Sequence, residues 1–476
     1  MTRGKITNLL GSLAVAGPLA AGAWAGEKVG TTAVQLYKPE QVIRSVAVEE
    51  QAAPAVAQAN EGEPADEAKE EEPLNYLMQQ LNCTSIGPWL TCNGIKAAGW
   101  LAQGFTWNPD SPDNRFNFPM TFNDRSNDYQ LNQLYVYFER PVNTEACCWD
   151  IGGRVDMLLG TDYYFTTSVG WETNPDGTQD WNSEDGPRRQ FGAGRLFGIA
   201  VPQLYAEVYA PVHTGYSIKI GHFYTPVGYE TVTSTGNFFY SHAFTHQYFE
   251  PFTHWGMQAE TKLTKQLKMQ FGVTAGWDTL DDASDKARVH GSLTWTSCDE
   301  KTMLFYALMV GEEPGLSAEE TRTYQSIYMT HKICENLTSV TGTDLIYQDD
   351  GSINHSGAVD DAEAYSIYQY LLYDINKCWS AGVRFEASRD DDNLRIVPVG
   401  GLTDPDGIGG APPIAVDGST FYSLTAGLNW KPYEHVRVRP ELRWDWSDFN
   451  IGPAGTFDDS SDNNQFTASF DVIISF

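Results

Sequence analysis

Gln465-Phe-Thr-Ala-Ser-Phe-Asp-Val-Ile-Ile-Ser-Phe476 closes the chain. Phe466, Ala468, Phe470, Val472, Ile474 and Phe476 point to one side; Gln465, Thr467, Ser469, Asp471 and Ser475 point to the other. Only Ile473 breaks the pattern. Successive side chains on a strand face opposite sides, so this segment predicts a ribbon with one apolar and one polar face. A strand of a soluble sandwich alternates equally well. Recurrence along the chain decides between them.

The pattern recurs upstream. In residues 436–446, Val436, Val438, Pro440, Leu442, Trp444 and Trp446 alternate with Arg437, Arg439, Glu441, Arg443 and Asp445. A charge at every second position does not suit a dry core, whereas the opposite row is as apolar as lipid requires. Residues 254–263, 267–277, 288–295, 379–388 and 421–430 behave alike, while the segments near Leu101, Leu304, Val340 and Tyr368 are ambiguous. The count is about sixteen strands, each about the nine to eleven residues that cross a bilayer at a tilt. Connections alternate in length. Short ones are predicted at 141–149, 212–214, 265, 298–300, 334–336, 376–377 and 432–434. Long ones are predicted at 109–129, 163–202, 224–253, 278–286, 312–321, 348–362, 389–420 and 447–463. Short turns on one side and long loops on the other are the habit of a transmembrane up-and-down antiparallel β-barrel, and an even count returns both ends to the periplasm.

Composition agrees. The 476 residues include 24 Tyr, 23 Phe and 14 Trp, and a mean hydropathy of −0.37 excludes a helical membrane protein. A formal charge of −31 argues against nucleic acid, because nothing would neutralise phosphates. At the N-terminus, Arg3 and Lys5 precede an apolar stretch broken by Gly11 and Pro18, and Ala23-Trp-Ala25 offers a cleavage site. Residues 1–25 therefore read as a cleaved signal peptide. Residues 26–72, rich in Ala, Pro and Glu, read as a disordered periplasmic tether. Residues 73–98 form a short cysteine-containing periplasmic or plug segment, with Leu74, Leu77, Met78 and Leu81 at helical spacing, and residues 99–476 form the barrel. Seven cysteines leave at least one without an intrachain partner. A Cys83–Cys92 disulfide is expected, whereas Cys147, Cys148, Cys298, Cys334 and Cys378 fall at short turns and their pairing stays open.

Several stretches resemble the OmpL-like beta-barrel porin family: Gly99-Trp-Leu-Ala-Gln-Gly-Phe-Thr-Trp-Asn108, Gly153-Arg-Val-Asp-Met-Leu-Leu-Gly-Thr-Asp162, Lys219-Ile-Gly-His-Phe-Tyr-Thr-Pro-Val-Gly-Tyr-Glu230, Phe239-Tyr-Ser-His242 and Pro251-Phe-Thr-His-Trp-Gly256. The resemblance covers about residues 95–476 and implies an outer-membrane porin without defining its solute. The last strand also resembles the closing strand of Gram-negative outer-membrane barrels, which implies that Phe476 is an assembly signal read by the barrel assembly machinery.

A barrel of this size leaves a water-filled lumen for passive diffusion of small hydrophilic solutes or ions. Its expected lining is Arg154, Asp156, Glu207, Lys219, Glu260, Lys262, Lys268, Arg288, His290, Arg384, Glu386, Arg437, Arg439, Glu441, Arg443 and Asp445. The arginines at 437, 439 and 443 either set a transverse field or are compensated by Glu441 and Asp445. Constriction falls to residues 163–202 or, preferably, 224–253, where Phe238, Phe239, Tyr240, Phe244, Tyr248, Phe249 and Phe252 make the loop too apolar to be solvated, with His242, His246, Glu250 and the adjacent His254 as further candidates. The histidine spacing invites a metal reading, but without helical context ordinary loop packing is preferred and no cofactor is expected. Acidic pairs such as Asp349-Asp350 and Asp458-Asp459 read as solvated loop charge. Outer-membrane lipid and further copies of the chain are the remaining expected partners. The alternatives are an exported soluble all-β carbohydrate-binding or hydrolytic protein, or a barrel enzyme. No nucleophile elbow, zinc-protease motif or phosphate loop is present, so no catalytic residue is assigned.

Overall fold

In lipid, an open sheet edge would leave amides and carbonyls without partners, so ribbons of this kind must close on themselves. They do. The computed structural model describes residues 75–174, 178–182, 196–281, 286–313, 320–353, 358–392, 394–396, 418–448, 455–459 and 461–476. The strands begin β1 (Lys96–Trp107), β2 (Asp128–Arg140), β3 (Asp150–Gly160), β4 (Gly198–Ala210), β5 (Tyr216–Tyr224) and β6 (Thr253–Lys262). Next come β7 (Leu267–Thr274), β8 (Arg288–Thr296), β9 (Thr302–Glu313), β10 (Glu320–Cys334) and β11 (Leu337–Ile353). The series ends with β12 (Val359–Asn376), β13 (Trp379–Asp390), β14 (Ser419–Tyr433), β15 (Val436–Ser447) and β16 (Asn464–Ser475). Each strand pairs with its sequence neighbour, and β16 closes the ring on β1. Register at the seam runs from Trp100 opposite Ser475 to Trp107 opposite Ala468. Phe476 exchanges both backbone hydrogen bonds with Gly99, at 2.8 and 3.0 Å. The chain therefore forms a closed sixteen-stranded antiparallel barrel.

The outward row is apolar: Leu424, Leu442, Trp444, Phe466 and Phe470 are all exposed there. Ile473, the misfit of the last strand, faces inward and is buried with Trp100 and Tyr135. Two expected loops are shorter than predicted. Strands β11 and β12 continue past a bulge between Gln348 and Ser352, which leaves residues 354–358 as their connection, and only 314–319 join β9 to β10.

Before the barrel lie two short helices, α1 (Tyr76–Asn82) and α2 (Ile86–Cys92). The Asn75 side chain caps α1 by accepting from the Met78 amide at 2.8 Å. Cys83 and Cys92, expected to pair, are both exposed and stand unjoined here. The reason is local. The Cys83 thiol turns back on its own helix toward the Gln79 carbonyl, and it is Thr91, the neighbour of Cys92, that meets α1 through Asn82. The segment does not plug the mouth either. Met78 and Leu90 pack on Ala97 and beside Phe138, both on the outward row of the wall. Residues 1–74, with the expected signal peptide and tether, lie outside the described residues.

Candidate permeation site: the inner loop and the cavity beside it

Side chains on the wall of a sixteen-stranded barrel cannot reach across to one another, so its interior stays wet unless something else occupies it. Here the β5–β6 connection, residues 225–252, enters the barrel and is buried along most of its length. Val227, Tyr229, Phe239, Phe244, Tyr248 and Phe249 pack against an apolar patch on the inner wall. That patch is made by Phe305, Ala307 and Met309 of β9, Tyr324 and Tyr328 of β10, and Val340, Ile346, Tyr368 and Tyr370 of β11 and β12. Wall glycines leave slots for the loop: a methyl group at Gly382 would lie 2.5 Å from the Phe238 ring, and one at Gly104 would lie 2.6 Å from Tyr240. The β1–β2 connection enters as well, burying Met120 and Phe122, and the Thr121 amide donates to the Gln247 side chain. The sequence had singled out only the β3–β4 and β5–β6 loops for this role.

A loop inside a barrel carries backbone groups that must find partners other than water. The charged rows of β13 and β15 supply them. Glu441 accepts from the Tyr240 and Ser241 amides at 2.9 and 3.2 Å. Glu386 accepts from the Phe244 amide at 2.8 Å and the Thr245 amide at 3.3 Å. Arg439 donates through Nη1 to the carbonyls of Ser234, Asn237 and Phe239 at 2.8–3.0 Å, and binds Asp471 through Nε and Nη2 at 2.8 and 2.6 Å. Arg443 donates to the His242 carbonyl at 2.6 Å and to Asp445 at 2.7 Å. Arg437 donates to the Thr235 carbonyl at 2.9 Å. Arg384 donates to Glu230 and to the Ser241 carbonyl, both at 2.8 Å. The stripe of arginines thus sits beneath the loop and clasps it, compensated by Asp445 and Asp471; it does not face open water.

The loop's titratable side chains form a compact group. His242 Nδ1 is 3.1 Å from Glu230 Oε2, His246 Nδ1 is 2.8 Å from Glu250 Oε2, and the two imidazoles stack at 4.8 Å. Burial alone would raise the Glu230 carboxyl, but the Arg384 charge and the His242 hydrogen bond hold it well below its ordinary value. Burial pushes the His246 imidazole down to about 4. It also lowers His242, against the opposing pull of Glu230. Burial, reinforced by the Glu230 charge, raises the Glu250 carboxyl well above its usual range. Seated in the barrel, the His246–Glu250 pair is therefore neutral. His254 stands apart from this group: it donates to the Gly276 carbonyl at 2.8 Å, accepts from Thr225 Oγ1 at 3.1 Å and lies near His290. Among the described residues, no three His, Cys, Asp or Glu side chains are arranged to hold a metal ion.

Across from the apolar patch, a cavity of about 300 Å³ separates the loop from β2–β7. It reaches the short-turn end, where Pro141, Val142 and Thr144 of the β2–β3 turn contribute to its lining. Its wall alternates in sign. Arg154 lies 3.9 Å from Glu139, 2.7 Å from Asp156 and over the Tyr137 ring. Lys219 sits 4.6 Å above the Tyr205 ring, opposite Glu207 on the neighbouring strand. Lys268 pairs with Glu260 at 3.2 Å.

The expected lining residues thus divide. Arg154, Glu207, Lys219, Glu260 and Lys268 border the cavity. Lys262 is exposed at the short-turn rim. Asp156, Arg288 and His290 are buried in the wall, Asp156 by the Tyr135 hydroxyl and Gln203. Glu386, Arg437, Arg439, Glu441 and Arg443 contact the loop backbone, Arg384 reaches the loop at Glu230 and Ser241, and Asp445 steadies Arg443. Sequence reasoning missed Glu139, Glu230, Asp471 and Gln133; Gln133 accepts from Trp100 and the Ser234 amide and donates to the Val232 carbonyl. Glu230 had a visible signal, since it and Glu250 are the only charged residues between 225 and 252.

An apolar band outside a closed barrel, with a charged wall and an inserted loop inside, defines an outer-membrane channel. The chain belongs to the family described as Putative beta-barrel porin-2, OmpL-like, whose model matches residues 94–476. Among solved structures, it is similar to the outer membrane channel DcaP of Acinetobacter baumannii, at 9% identity over 80% of this chain and 97% of that one, with a TM-score of 0.48. It is similar also to an anion-selective porin from Comamonas acidovorans, at 8% identity over 80% and 99%, TM-score 0.47. OprB of Pseudomonas putida matches at 10% identity over 82% and 96%, TM-score 0.49. No curated protein matches the chain.

Proposed function

We propose that small hydrophilic solutes or ions diffuse passively through the sector between the inner loop and the β2–β7 wall. The observation that carries this reading is the asymmetry of the interior. One side of the loop is sealed by aromatic packing on β9–β12, and the other leaves a cavity whose outer wall carries Arg154, Lys219, Lys268, Glu139, Glu207 and Glu260. Cations and carboxylates interleave there, so the sector suits polar solutes of either sign and gives weak ion selectivity.

Planar-bilayer recording of the purified chain tests this directly. Lys219→Glu and Lys268→Glu should each move the reversal potential in a salt gradient toward cation selectivity, while conductance stays within about twofold. Channels whose reversal potential ignores both changes would place the path elsewhere.

Export through a cleaved signal at residues 1–25, a tether over 26–72, association of barrels into oligomers, and recognition of Phe476 by the assembly machinery complete the proposed picture. Support for the last is positional: the terminal aromatic lies beside Gly99 at the seam, where closure has to finish.

A further inference from the structure

The hairpin of α1 and α2 precedes the porin-family match, which begins at residue 94. Its composition sets it apart. Residues 73–95 contain no Asp, Glu, Lys or Arg, directly after the Glu70-Glu71-Glu72 run and directly before Lys96. A solvated periplasmic segment in a chain that is 20% charged has no reason to be free of charge.

Its position follows from the seam. Strand β16 ends opposite Gly99, so the edge of β1 at Ala97 extends beyond its last partner. The hairpin covers that bare edge: the Ala97 amide donates to Met78 Sδ at 3.3 Å, and Asn75 Nδ2 donates to the Ala97 carbonyl at 2.9 Å. Ala97 pairs with Phe138, and Phe138 with Val155, in the outward row; the inward row holds Trp100, Tyr135 and Tyr137. One face of the hairpin is thus fixed to the lipid side of the wall.

Its other face presents Tyr76, Ile86 and Trp89, exposed by 63, 57 and 60%. The outward Trp149 and Ile151 lie at the same end of the barrel, each 66% exposed. Tyrosine and tryptophan favour the boundary between headgroups and acyl chains, where the ring is dry and its polar atom wet. Short amphipathic segments lie in that plane. The patch is too small for a protein partner: three side chains this exposed offer roughly 300–400 Å², under half of the ~800 Å² that one side of a stable interface buries. It is also uncharged, so it carries no electrostatic handle for a protein.

We infer that α1–α2 is an interfacial foot, lying in the phospholipid leaflet at the short-turn side with Tyr76, Ile86 and Trp89 inserted among the lipids, while its inner face closes the seam. The inference rests on the reading of the barrel as membrane-embedded, and the experiment separates the two.

The full-length protein is reconstituted in phosphatidylcholine–phosphatidylglycerol vesicles that carry a nitroxide either near the headgroup or near the chain end. The Trp89 signal is the fluorescence difference between wild type and Trp89→Phe; that of Trp444, on the outward row of β15, comes from Trp444→Phe. Heat-modifiable gel migration checks that both variants are folded. Trp89 should be quenched at least twofold more by the shallow label than by the deep one, and Trp444 should be quenched in the same vesicles. Trp89 quenched by neither label while Trp444 is quenched would overturn the foot and leave the membrane reading intact. Failure to quench either tryptophan would overturn both. A photo-crosslinker at position 89 that captures a second copy of the chain instead of lipid would also overturn the foot.

Discussion

Arg439 concentrates the tasks of the interior in one side chain. It holds Asp471 with two nitrogens and three loop carbonyls with the third. Removing it leaves a buried carboxylate and three carbonyls without their donor. Losing one partner of a buried ion pair costs about 3–5 kcal/mol, so Arg439→Ser should lower the temperature at which the folded gel band disappears and give larger, noisier openings. The His246–Glu250 pair predicts a pH response. Between pH 4 and 6.5 an unseated His246 takes up a proton that the seated one refuses, so seating gains with rising pH. Above pH 4.5 an unseated Glu250 loses a proton that the seated one keeps, so seating weakens with rising pH. His242, lowered in the same sense, adds to the His246 slope, and between pH 4.5 and 6.5 the Glu250 slope opposes them, each about 1.4 kcal/mol per unit at most. Above 6.5 only the Glu250 slope remains. Current noise should not rise with pH across the lower window and should grow on the alkaline side, and Glu250→Gln should abolish that growth; an unchanged alkaline rise in the variant would reject the assignment.

At the level of the element, the loop explains which strands were hard to read. The segments near Leu304, Val340 and Tyr368 lack a clean polar row because their inner face carries the aromatic patch on which the loop rests. The one near Leu101 has Trp100 and Ala102 turned inward beneath other loop residues. Alternation reports the solvent on each face, and here one inner face meets protein. The charged rows of β13 and β15 alternated plainly, yet the reason for them was hidden: they bind backbone amides and carbonyls, which no side-chain pattern announces. The first loop's entry was equally hidden, since residues 109–127 are rich in Asn, Asp and Pro, a composition that does not announce burial. Replacing residues 231–249 by a short Gly-Ser linker should raise single-channel conductance several-fold, because the plug goes while the wall of paired strands remains. Conductance equal to wild type would show that the loop does not limit the path.

Across the whole molecule, the alternation of short and long connections made the closed barrel of sixteen strands legible in the sequence. It worked because a bilayer constrains every crossing in the same way. The interior is under no such common constraint. Its shape depends on pairings between distant parts of the chain, such as Glu230 with Arg384, and periodicity within a strand is blind to those.

That distance has a consequence for how the molecule comes into being. Tyr240 and Glu441 are 201 positions apart, and Ser234 and Arg439 are 205. Contacts so remote in sequence form late. While strands are laid side by side, the segment after β5 can rest on the aromatic patch of β9–β12, but the side chains that clasp its backbone are still missing. Only the last four strands bring the charges that bind its amides and carbonyls, and they arrive with the strand that zips the ring shut.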